Sequence, residues 1–191
     1  MGVKLDPIAL PSPGAAAQGI ADRAFDVTFL VIDAARAAVM EFSAPCMESD
    51  LTCLVAAGSK IARVADIDVP GVRIAIVRND ASDLRLTQLI KQAELIRVDD
   101  INAAAETLRA AKADAVAAPR PVLAVQRAKL AGSKLLDEGF ARISYAVVVS
   151  KGRSELLAYS NDFVDEAKAS GLVKNTIEAA GLEGVRVPPK P

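Results

Sequence analysis

The sequence predicts an α/β protein whose sheet is largely parallel, and three observations support this class. Short apolar runs alternate with Ala-rich helical segments along the 191 residues. Residues 25–32 (FDVTFLVI) are almost continuously apolar, which is typical of a parallel strand buried on both faces. The sequence shows no helical repeat and no low-complexity segment. Strands that alternate with helices in this order usually form parallel sheets.

The N-terminal part of the chain contains three predicted strands and two predicted helices. Pro7 weakens the first strand and favours an edge position, because proline cannot donate to a neighbouring strand. Asp33 follows the long apolar run and is placed as a helix N-cap. In order, the elements are a strand at 3–10, a helix at 15–23, a strand at 25–32, a helix at 34–40 and a strand at 51–57.

The same alternation continues to the C-terminal end. Asp80 precedes a helix and is followed three places later by Asp83, a variant of the capping box. Asp99 or Asp100 caps the next helix, and Pro121 lies in the first turn of another. The predicted strands are 72–77, 94–98, 114–118, 135–136 and 144–149, and the predicted helices are 80–91, 101–113, 121–130, 154–169 and 172–180.

The composition excludes several classes of function. Lys and Arg number 23 against 24 Asp and Glu, so no basic excess exists to bind nucleic acid or an anionic membrane. The absence of His removes every His-based triad, general base and metal site. Neither a Gly-rich phosphate loop nor an apolar run of roughly 18 residues, the length of a membrane helix, is present. We therefore expect no cofactor, no metal ion and no nucleic-acid partner.

Two features bear on the cellular compartment. The first residues lack the charged start and the long apolar stretch of a signal peptide, which predicts a cytoplasmic location if the start is as written. Cys46 and Cys53 are the only cysteines. Two reduced thiols are the favoured interpretation, and a disulfide that spans a hairpin is the alternative.

Four segments resemble the type 2 periplasmic solute-binding proteins, specifically the family that serves ABC transporters for polar amino acids. Each motif is short, but together they cover nearly the whole chain in the family's order and spacing. The segments are residues 25–30 with Arg36 and 42–45 (FSAP); 54–59, 64–67 and 71–76 at the crossover; 113–118 (ADAVAA); and 145–152 with the helix ending at 166–171.

The resemblance implies two α/β lobes, each with a mostly parallel central sheet, that enclose a ligand cleft. Lobe 1 is expected to comprise residues 1–57 plus 147–191, and lobe 2 residues 58–146. Cleft binding at the carboxyl ends of strands follows the general rule for open α/β sheets. The resemblance also implies an ABC permease as partner and a periplasmic location.

The chain departs from the family at its start. It resembles relatives from their second strand onward, so the first strand of lobe 1 is missing. Two repairs are open: the strand at 3–10 slides into the vacant place, or a second chain covers the exposed edge. We favour a homo-oligomer, because exposed apolar edges are association sites.

The resemblance also assigns candidate ligand residues. Arg36 matches the arginine that forks onto a ligand carboxylate, whereas a solvated helix arginine is the structural alternative. Asp80, Ala81 and Ser82 match the helix start that holds the same carboxylate in lobe 2. The alternative for Asp80 is a simple N-cap, and its charge would compete with an anionic ligand. Thr28, in the first matched run, is counted with the ligand-binding residues.

One position departs from the family's amino-acid site. Relatives place an Asp after the DAVAA-type strand to hold the ammonium group, but Pro119 stands there in this chain. Arg120 follows it. If Arg120 faces the cleft, a dianionic ligand becomes feasible, and the alternative is a surface arginine.

Three hypotheses about function follow. The first is a solute-binding protein of an ABC uptake system that holds a small anionic solute, such as an amino acid or organic acid. The second is a shortened relative that no longer binds solute and self-associates. The third is an enzyme of the dehydratase type, which the sequence does not favour because it offers no paired acid and base.

Overall fold

The computed structural model describes residues 4 and 6–189. Over that part of the chain it contains seven α-helices, eight strands and one short 3-10 helix. In chain order these are α1 (Pro13–Ala21), β1 (Val27–Val31), α2 (Ala34–Ala37), β2 (Met40–Phe42), β3 (Met47–Val55), the 3-10 helix (Val64–Asp66), β4 (Arg73–Val77), α3 (Ala81–Leu89), β5 (Glu94–Val98), α4 (Ile101–Arg109), β6 (Ala115–Pro119), α5 (Arg120–Lys129), β7 (Lys134–Leu135), β8 (Ala141–Ser150), α6 (Ser154–Ala169) and α7 (Leu172–Ala179). The α/β class is confirmed.

The eight strands form one mixed sheet in the order β1-β8-β3-β6-β4-β5. The short strand β2 pairs with β8, and β7 pairs with β3. Strands β3 and β8 are the longest and connect the two lobes: Leu51 in β3 pairs with Ala141 of β8 on one side and with Pro119 of β6 on the other. The division at residues 57/58 and 146/147 stays a prediction.

Parallel pairing occurs in lobe 2, where β4 runs parallel to both β5 and β6. In lobe 1 the prediction of a mostly parallel sheet needs correction, since β1 and β2 both run antiparallel to β8. The apolar run at 25–32 suggested burial on both faces, yet β1 is buried only at its carboxyl end, and Val27 and Phe29 are exposed. Their apolar character therefore reflects an uncovered face rather than a central position in the sheet.

The first predicted strand does not form in the described residues. Residues 3 and 5 lie outside the described part of the chain, and residues 4 and 6–10 have no regular structure and are exposed. Proline at position 7 cannot donate to a ladder, which explains why this stretch does not pair. Among the described residues, no strand pairs with the outer edge of β1. The stretch therefore does not fill the vacant place in lobe 1.

Each face of the lobe 2 sheet carries its own apolar core. One core surrounds Ile74, Ile76 and Leu86, and the other surrounds Leu123 and Val116, all with 1% exposure or less. In lobe 1, α1 covers one face of β1 and β8, and α6 contacts the other through Val164 and Val147. Helices on both faces are the usual arrangement of an open α/β sheet.

Residues 183–188, which follow α7, attach the C-terminal end of the chain to strand β3 and to helix α5 of lobe 2. The backbone groups of Arg186 and Glu48 exchange hydrogen bonds at 3.0 and 2.8 Å. The Arg127 guanidinium of α5 pairs with Glu183 at 3.0 Å. Gly184 lies so close to Arg120 that a Cβ atom there would stand 2.3 Å from the Arg120 Cδ. We call residues 183–188 the C-terminal strap.

Candidate functional site

Arg36 is buried where the two lobes meet. It lies on α2, and Asp33 caps that helix, because Asp33 Oδ1 accepts hydrogen bonds from Ala35 N at 2.8 Å and Arg36 N at 3.3 Å. Arg36 is only 7% exposed. Its guanidinium donates to the Val31 carbonyl in lobe 1 at 3.4 Å and to the Asn79 carbonyl at 2.6 Å. The alternative of a solvated helix arginine is therefore wrong.

The Arg36 guanidinium retains spare donors. Desolvation lowers the pKa of Arg36, and the nearby charges of Asp33 and Asp80 counteract this by raising it. An arginine side chain carries five N–H groups, and the two hydrogen bonds to carbonyls use two of them. Three N–H groups therefore remain for a carboxylate, which an arginine binds through two parallel hydrogen bonds.

The start of α3 faces this arginine from lobe 2. Asp80 caps the helix, since its Oδ1 accepts from the Asp83 N–H at 2.8 Å, which confirms the predicted N-cap. Asp80 is 5% exposed and Ser82 is fully buried. The Ser82 hydroxyl oxygen has no hydrogen-bond partner in the described structure. A buried hydroxyl without a partner is a rare and costly feature that a ligand atom can satisfy.

The carboxyl group of Asp80 holds its proton more firmly than an ordinary aspartate. Burial raises the pKa of Asp80 to about 6, and the negative charge of Asp83 adds to this. Backbone N–H groups and the Arg36 charge act in the opposite direction without cancelling the effect of burial. Burial and the charge of Asp80 also raise the pKa of Tyr145 on β8. Asp80 therefore lies at a dry junction between both lobes.

A cavity of about 270 Å³ opens between α1, α2 and the residues around the start of α3. One face of α1 forms a wall of it, with residues spaced at helical intervals. Gly14 allows the close approach of the two lobes, because a Cβ there would stand 3.3 Å from the Asn79 Cβ. The lining residues are Gly14, Ala17, Gln18, Ala21, Asp33, Ala35, Arg36, Val39, Met40, Asn79 and Leu84.

Of the six predicted ligand residues, only Arg36 lines this cavity. Asp80, Ala81 and Ser82 are buried next to it at the start of α3, and the other two lie elsewhere. Thr28 is in β1 opposite Val148, on the face that packs against α1, three residues before Val31. The Arg120 guanidinium donates to the carbonyls of Leu136 at 3.1 Å and Asp137 at 2.7 Å. Neither residue lines the cavity, so the structure does not bring them together with Arg36.

The cavity also contains polar residues that the sequence did not single out as ligand groups. Asp33 was expected as a helix cap or as an ion-pair partner of Arg36, and Gln18 and Asn79 were not assigned any role. A periodic signal was available for α1, because Gly14 and Gln18 are four residues apart and share one helix face. Only the tertiary structure places that face against Asn79.

Neither cysteine forms a disulfide, which agrees with the favoured interpretation. Burial raises the pKa of Cys53 to about 12, so this thiol stays protonated and unreactive. In residues 4 and 6–189, no group of three or more His, Cys, Asp or Glu residues is placed to hold a metal ion. A search of the same residues finds no helix with the length and apolarity to cross a membrane.

The chain belongs to the bacterial extracellular solute-binding proteins, family 3, whose sequence profile matches residues 1–179. Among curated protein sequences, none matches this chain significantly. The two-lobe fold of this family is therefore the fold of the chain. The C-terminal strap lies beyond the matched residues.

Solved structures agree with this assignment. The substrate-binding protein of an amino acid ABC transporter has a TM-score of 0.83 at 22% identity, and the match covers 93% of this chain and 80% of that one. An arginine-bound protein of the same kind from Streptococcus pneumoniae has a TM-score of 0.83 at 19% identity, with coverage of 94% and 77%. An ancestral amino-acid-binding protein, a precursor of cyclohexadienyl dehydratase, has a TM-score of 0.82 at 25% identity, with coverage of 93% and 78%.

Proposed function

We propose that this protein is the solute-binding component of an ABC uptake system and holds a small carboxylate-bearing solute, an amino acid or organic acid, between its lobes. The observation that carries the proposal is the buried Arg36, which lines the cavity between the lobes and retains unused N–H groups. The family assignment supports a solute-binding role. The carboxylate follows from the chemistry of a desolvated guanidinium.

The start of α3 complements Arg36. The N-terminal end of α3 carries the positive end of the helix dipole, which favours a carboxylate held beside it by Arg36. Ser82 is fully buried and its N–H bonds to Asp80, so Ala81 and Ser82 act through the helix dipole and not by direct contact. In its ionised form, Asp80 would repel the carboxylate of a ligand. Because the pKa of Asp80 is raised, the group can take up a proton near neutral pH when a ligand binds. Proton uptake by Asp80 on binding removes the repulsion, and we expect binding to strengthen as the pH falls toward 6.

A panel of ligands tests this function. Amino acids and organic acids are added to the intact chain while its thermal unfolding is followed. A bound carboxylate raises the melting temperature, Arg36→Ala abolishes the shift, and Arg36→Lys restores only part of it because lysine lacks the fork. Arg85→Ala, an exposed arginine on α3, is the matched control and retains the shift. No shift with any carboxylate would contradict the proposal.

The partner and compartment follow from the same proposal. An ABC permease receives the solute, and the protein acts on the periplasmic side of the membrane. Co-purification of the chain with a permease in the presence of solute, but not with Arg36→Ala, is the expected result.

A second candidate function has its own observation. Strand β1 ends the lobe 1 sheet with Val27 and Phe29 exposed at 42% and 55%, and no described strand covers its outer edge. Arg36 meanwhile donates to carbonyl groups, and Asp80 caps α3, so the usual ligand groups have internal partners. These features support a homo-oligomeric relative that has lost solute binding. Light scattering separates the two: self-association without any thermal shift favours this candidate, and a monomer at high concentration rules it out.

The third candidate is a dehydratase-type enzyme, and we propose that the chain is not one. The structure has a buried carboxyl group, Asp80, but that group is committed to the α3 cap. Incubation with a cyclohexadienyl acid is expected to give no product, and turnover that Asp80→Asn removes would overturn this view.

A further inference from the structure

We infer that the C-terminal strap, residues 183–188, is a latch that holds the two lobes together and thereby sets the affinity of the cavity between them. The effect on affinity rests on the proposed function, whereas the effect on the lobes does not. Helix α7 packs against α6 in lobe 1, and the strap that follows it reaches strand β3 and helix α5 of lobe 2. The family profile ends at residue 179, so the family assignment does not describe the strap.

The two lobes are in direct contact in the described structure. The Arg36 guanidinium of lobe 1 donates to the Asn79 carbonyl of lobe 2 at 2.6 Å, and Gly14 lies beside Asn79. We call this the closed arrangement. A contact that exists in the closed arrangement and breaks when the lobes separate shifts the population toward closed molecules.

The strap joins β3 where this strand passes from one lobe to the other. Strand β3 pairs with β8 over Met47–Leu51 and with β6 over Leu51–Val55. Within the first segment, the backbone groups of Glu48 bond to Arg186 on the edge that β8 does not occupy. The Arg186 guanidinium also pairs with Glu48 at 3.2 Å and Asp50 at 3.4 Å. The strap therefore adds a third chain to the two strands that connect the lobes.

The other end of the strap is fixed to α5. Glu183 pairs with the Arg127 guanidinium at 3.0 Å. Gly184 lies against the Arg120 side chain, so closely that a Cβ atom would stand 2.3 Å from the Arg120 Cδ. Arg120 is itself held by hydrogen bonds to two backbone carbonyls, at 3.1 and 2.7 Å. The strap thus rests on a side chain of lobe 2 that has a fixed position.

The strap has little slack between its anchors. The Leu182 N–H is still bonded to the Ile177 carbonyl of α7 at 3.2 Å, and Glu183 is the next residue. Two residues separate Glu183 from Arg186, which limits their distance to about 10 Å. A rotation that carries α5 away from α7 must therefore break the pair between Glu183 and α5.

Loss of this pair should open the lobes and weaken solute binding. A solute held by both lobes binds only closed molecules, so its apparent Kd is the intrinsic value divided by the closed fraction. The side chains of Arg127 and Glu183 are 44% and 43% exposed, and an exposed pair changes an equilibrium about 2- to 5-fold. None of the strap residues lines the cavity, so the strap acts without touching the solute.

The distance between two nitroxide labels, measured by pulsed electron paramagnetic resonance without solute, tests the latch. The label positions are Lys112→Cys in lobe 2 and Glu166→Cys in lobe 1, both exposed. Cys46 and Cys53 are buried, and burial raises the pKa of both thiols, so the label reacts with the introduced cysteines.

Charge reversal identifies the contact. Arg127→Glu and Glu183→Arg, each alone, should add a second distance population, and the double variant should restore the distribution of the unmodified chain. Arg109→Glu is the matched control, because Arg109 pairs with Glu106 within α4, and it should change nothing. Identical distributions in all variants, or a second population that persists in the double variant, would overturn the latch.

Isothermal titration with L-leucine, L-arginine, L-glutamate and succinate tests the effect on affinity. A probe that binds the unmodified chain should bind Arg127→Glu about 2- to 5-fold more weakly and the double variant with its original affinity. Equal affinity in all variants would overturn the control of affinity by the strap. Binding of none of these probes, together with the expected distance changes, would overturn the proposed function and support the latch.

Discussion

The two ends of the sheet differ in how they are protected. Strand β5 ends the lobe 2 side with the sequence ELIRV, and its Glu94 and Arg97 are exposed charges. Strand β1 ends the lobe 1 side with VTFLV, which carries no charge, and its Val27 and Phe29 are exposed. Charged side chains on an edge strand discourage pairing with another chain. The edge strand β5 is therefore protected against pairing with another chain, whereas β1 has the uncharged, apolar sequence that is typical of an interior strand.

The packing around the two strands shows the same contrast. Arg97 of β5 is tied to α3, because its Nε donates to Asp83 at 2.9 Å. Phe29 of β1 lies opposite Val147, whose side chain packs with Val164 of α6. Cross-strand neighbours point to the same face, so Phe29 lies on the α6 side of the sheet but remains 55% exposed. The difference teaches that the sheet ends in lobe 2 at a strand whose charged side chain is tied to a helix, and in lobe 1 at a strand with exposed apolar side chains.

The largest expected change in the free energy of unfolding comes from leucine-to-alanine substitutions in the cores of the two lobes. Leu123→Ala empties a fully buried position in lobe 2 and should lower the free energy of unfolding by about 4 kcal/mol. Leu30→Ala, at 3% exposure in β1, should cost only about 2 kcal/mol, because a strand with a free edge can relax into the space. Urea unfolding of both variants measures the difference. An equal or greater loss for Leu30→Ala would break the comparison.

The second-largest expected effect is the change of stability with pH that results from Asp80 at the junction of the lobes. Its pKa of about 6 lies above the ordinary 3.8, so the folded state binds the proton more tightly than the unfolded state. The stability that this proton provides is fully present below about pH 4 and is lost as the pH rises through 6. Over that range the loss amounts to ~3 kcal/mol.

Asp80→Asn isolates this contribution, because asparagine retains a cap without a titrating group. The difference in urea midpoint between Asp80→Asn and the unmodified chain should grow from pH 4 to pH 6 and then stay constant. Thr107→Ser, a conservative change far from the junction, is the control and should give a flat difference. A flat difference for Asp80→Asn as well would show that the Asp80 carboxyl is solvated.

The free edge of β1 is probed by adding a charge to it. Phe29→Lys should change the free energy of unfolding by less than about 0.5 kcal/mol, since the residue is more than half exposed. The same change should reduce the mass seen by light scattering to that of one chain. Leu89→Lys, at a comparably exposed leucine of lobe 2, is the control and should leave the mass unchanged. An identical mass for the unmodified chain and Phe29→Lys would argue against association through β1.

Substitutions in the C-terminal strap, which contacts both β3 and α5, should have the smallest effect on the free energy of unfolding. Arg186 pairs with Glu48 at 3.2 Å and Asp50 at 3.4 Å, but its side chain is 37% exposed and water screens both pairs. Arg186→Ala should therefore cost ~0.5 kcal/mol in urea unfolding. Arg63→Ala, in a more exposed pair with Asp66, should cost nothing measurable. A loss above about 2 kcal/mol for Arg186→Ala would mean that the strap is a structural element of the core.

Local features of the fold could be predicted from the sequence, and non-local ones could not. The caps Asp33 and Asp80 were predictable, and the cap of α4 was narrowed to Asp99 or Asp100, because a cap depends on residues two or three places away. The antiparallel direction of β1 was not, because it depends on β8, more than a hundred residues later. Its apolar run alone cannot distinguish a strand covered on both faces from one that lacks a neighbour.

The residues of the candidate site also differ in whether their positions depend on local or on distant parts of the sequence. Resemblance to a family selected Arg36 as a ligand residue, which stays a prediction, and the structure places Arg36 against Asn79 and in the cavity lining. Its position after β1 is a local property that the sequence shows. Arg120 could not be placed, because the carbonyls of Leu136 and Asp137 determine where its guanidinium lies. Asp33 looked like any other cap, and only the approach of lobe 2 makes it part of a cavity wall.

Gly14 allows α1 to approach the residues before α3 closely at the edge of the cavity. A Cβ atom at this position would lie 3.3 Å from the Asn79 Cβ, so a larger residue would require Asn79 or its surroundings to shift by a few tenths of an ångström. If the cavity holds the proposed solute, the size of the residue at position 14 is expected to change solute affinity without altering Arg36 itself.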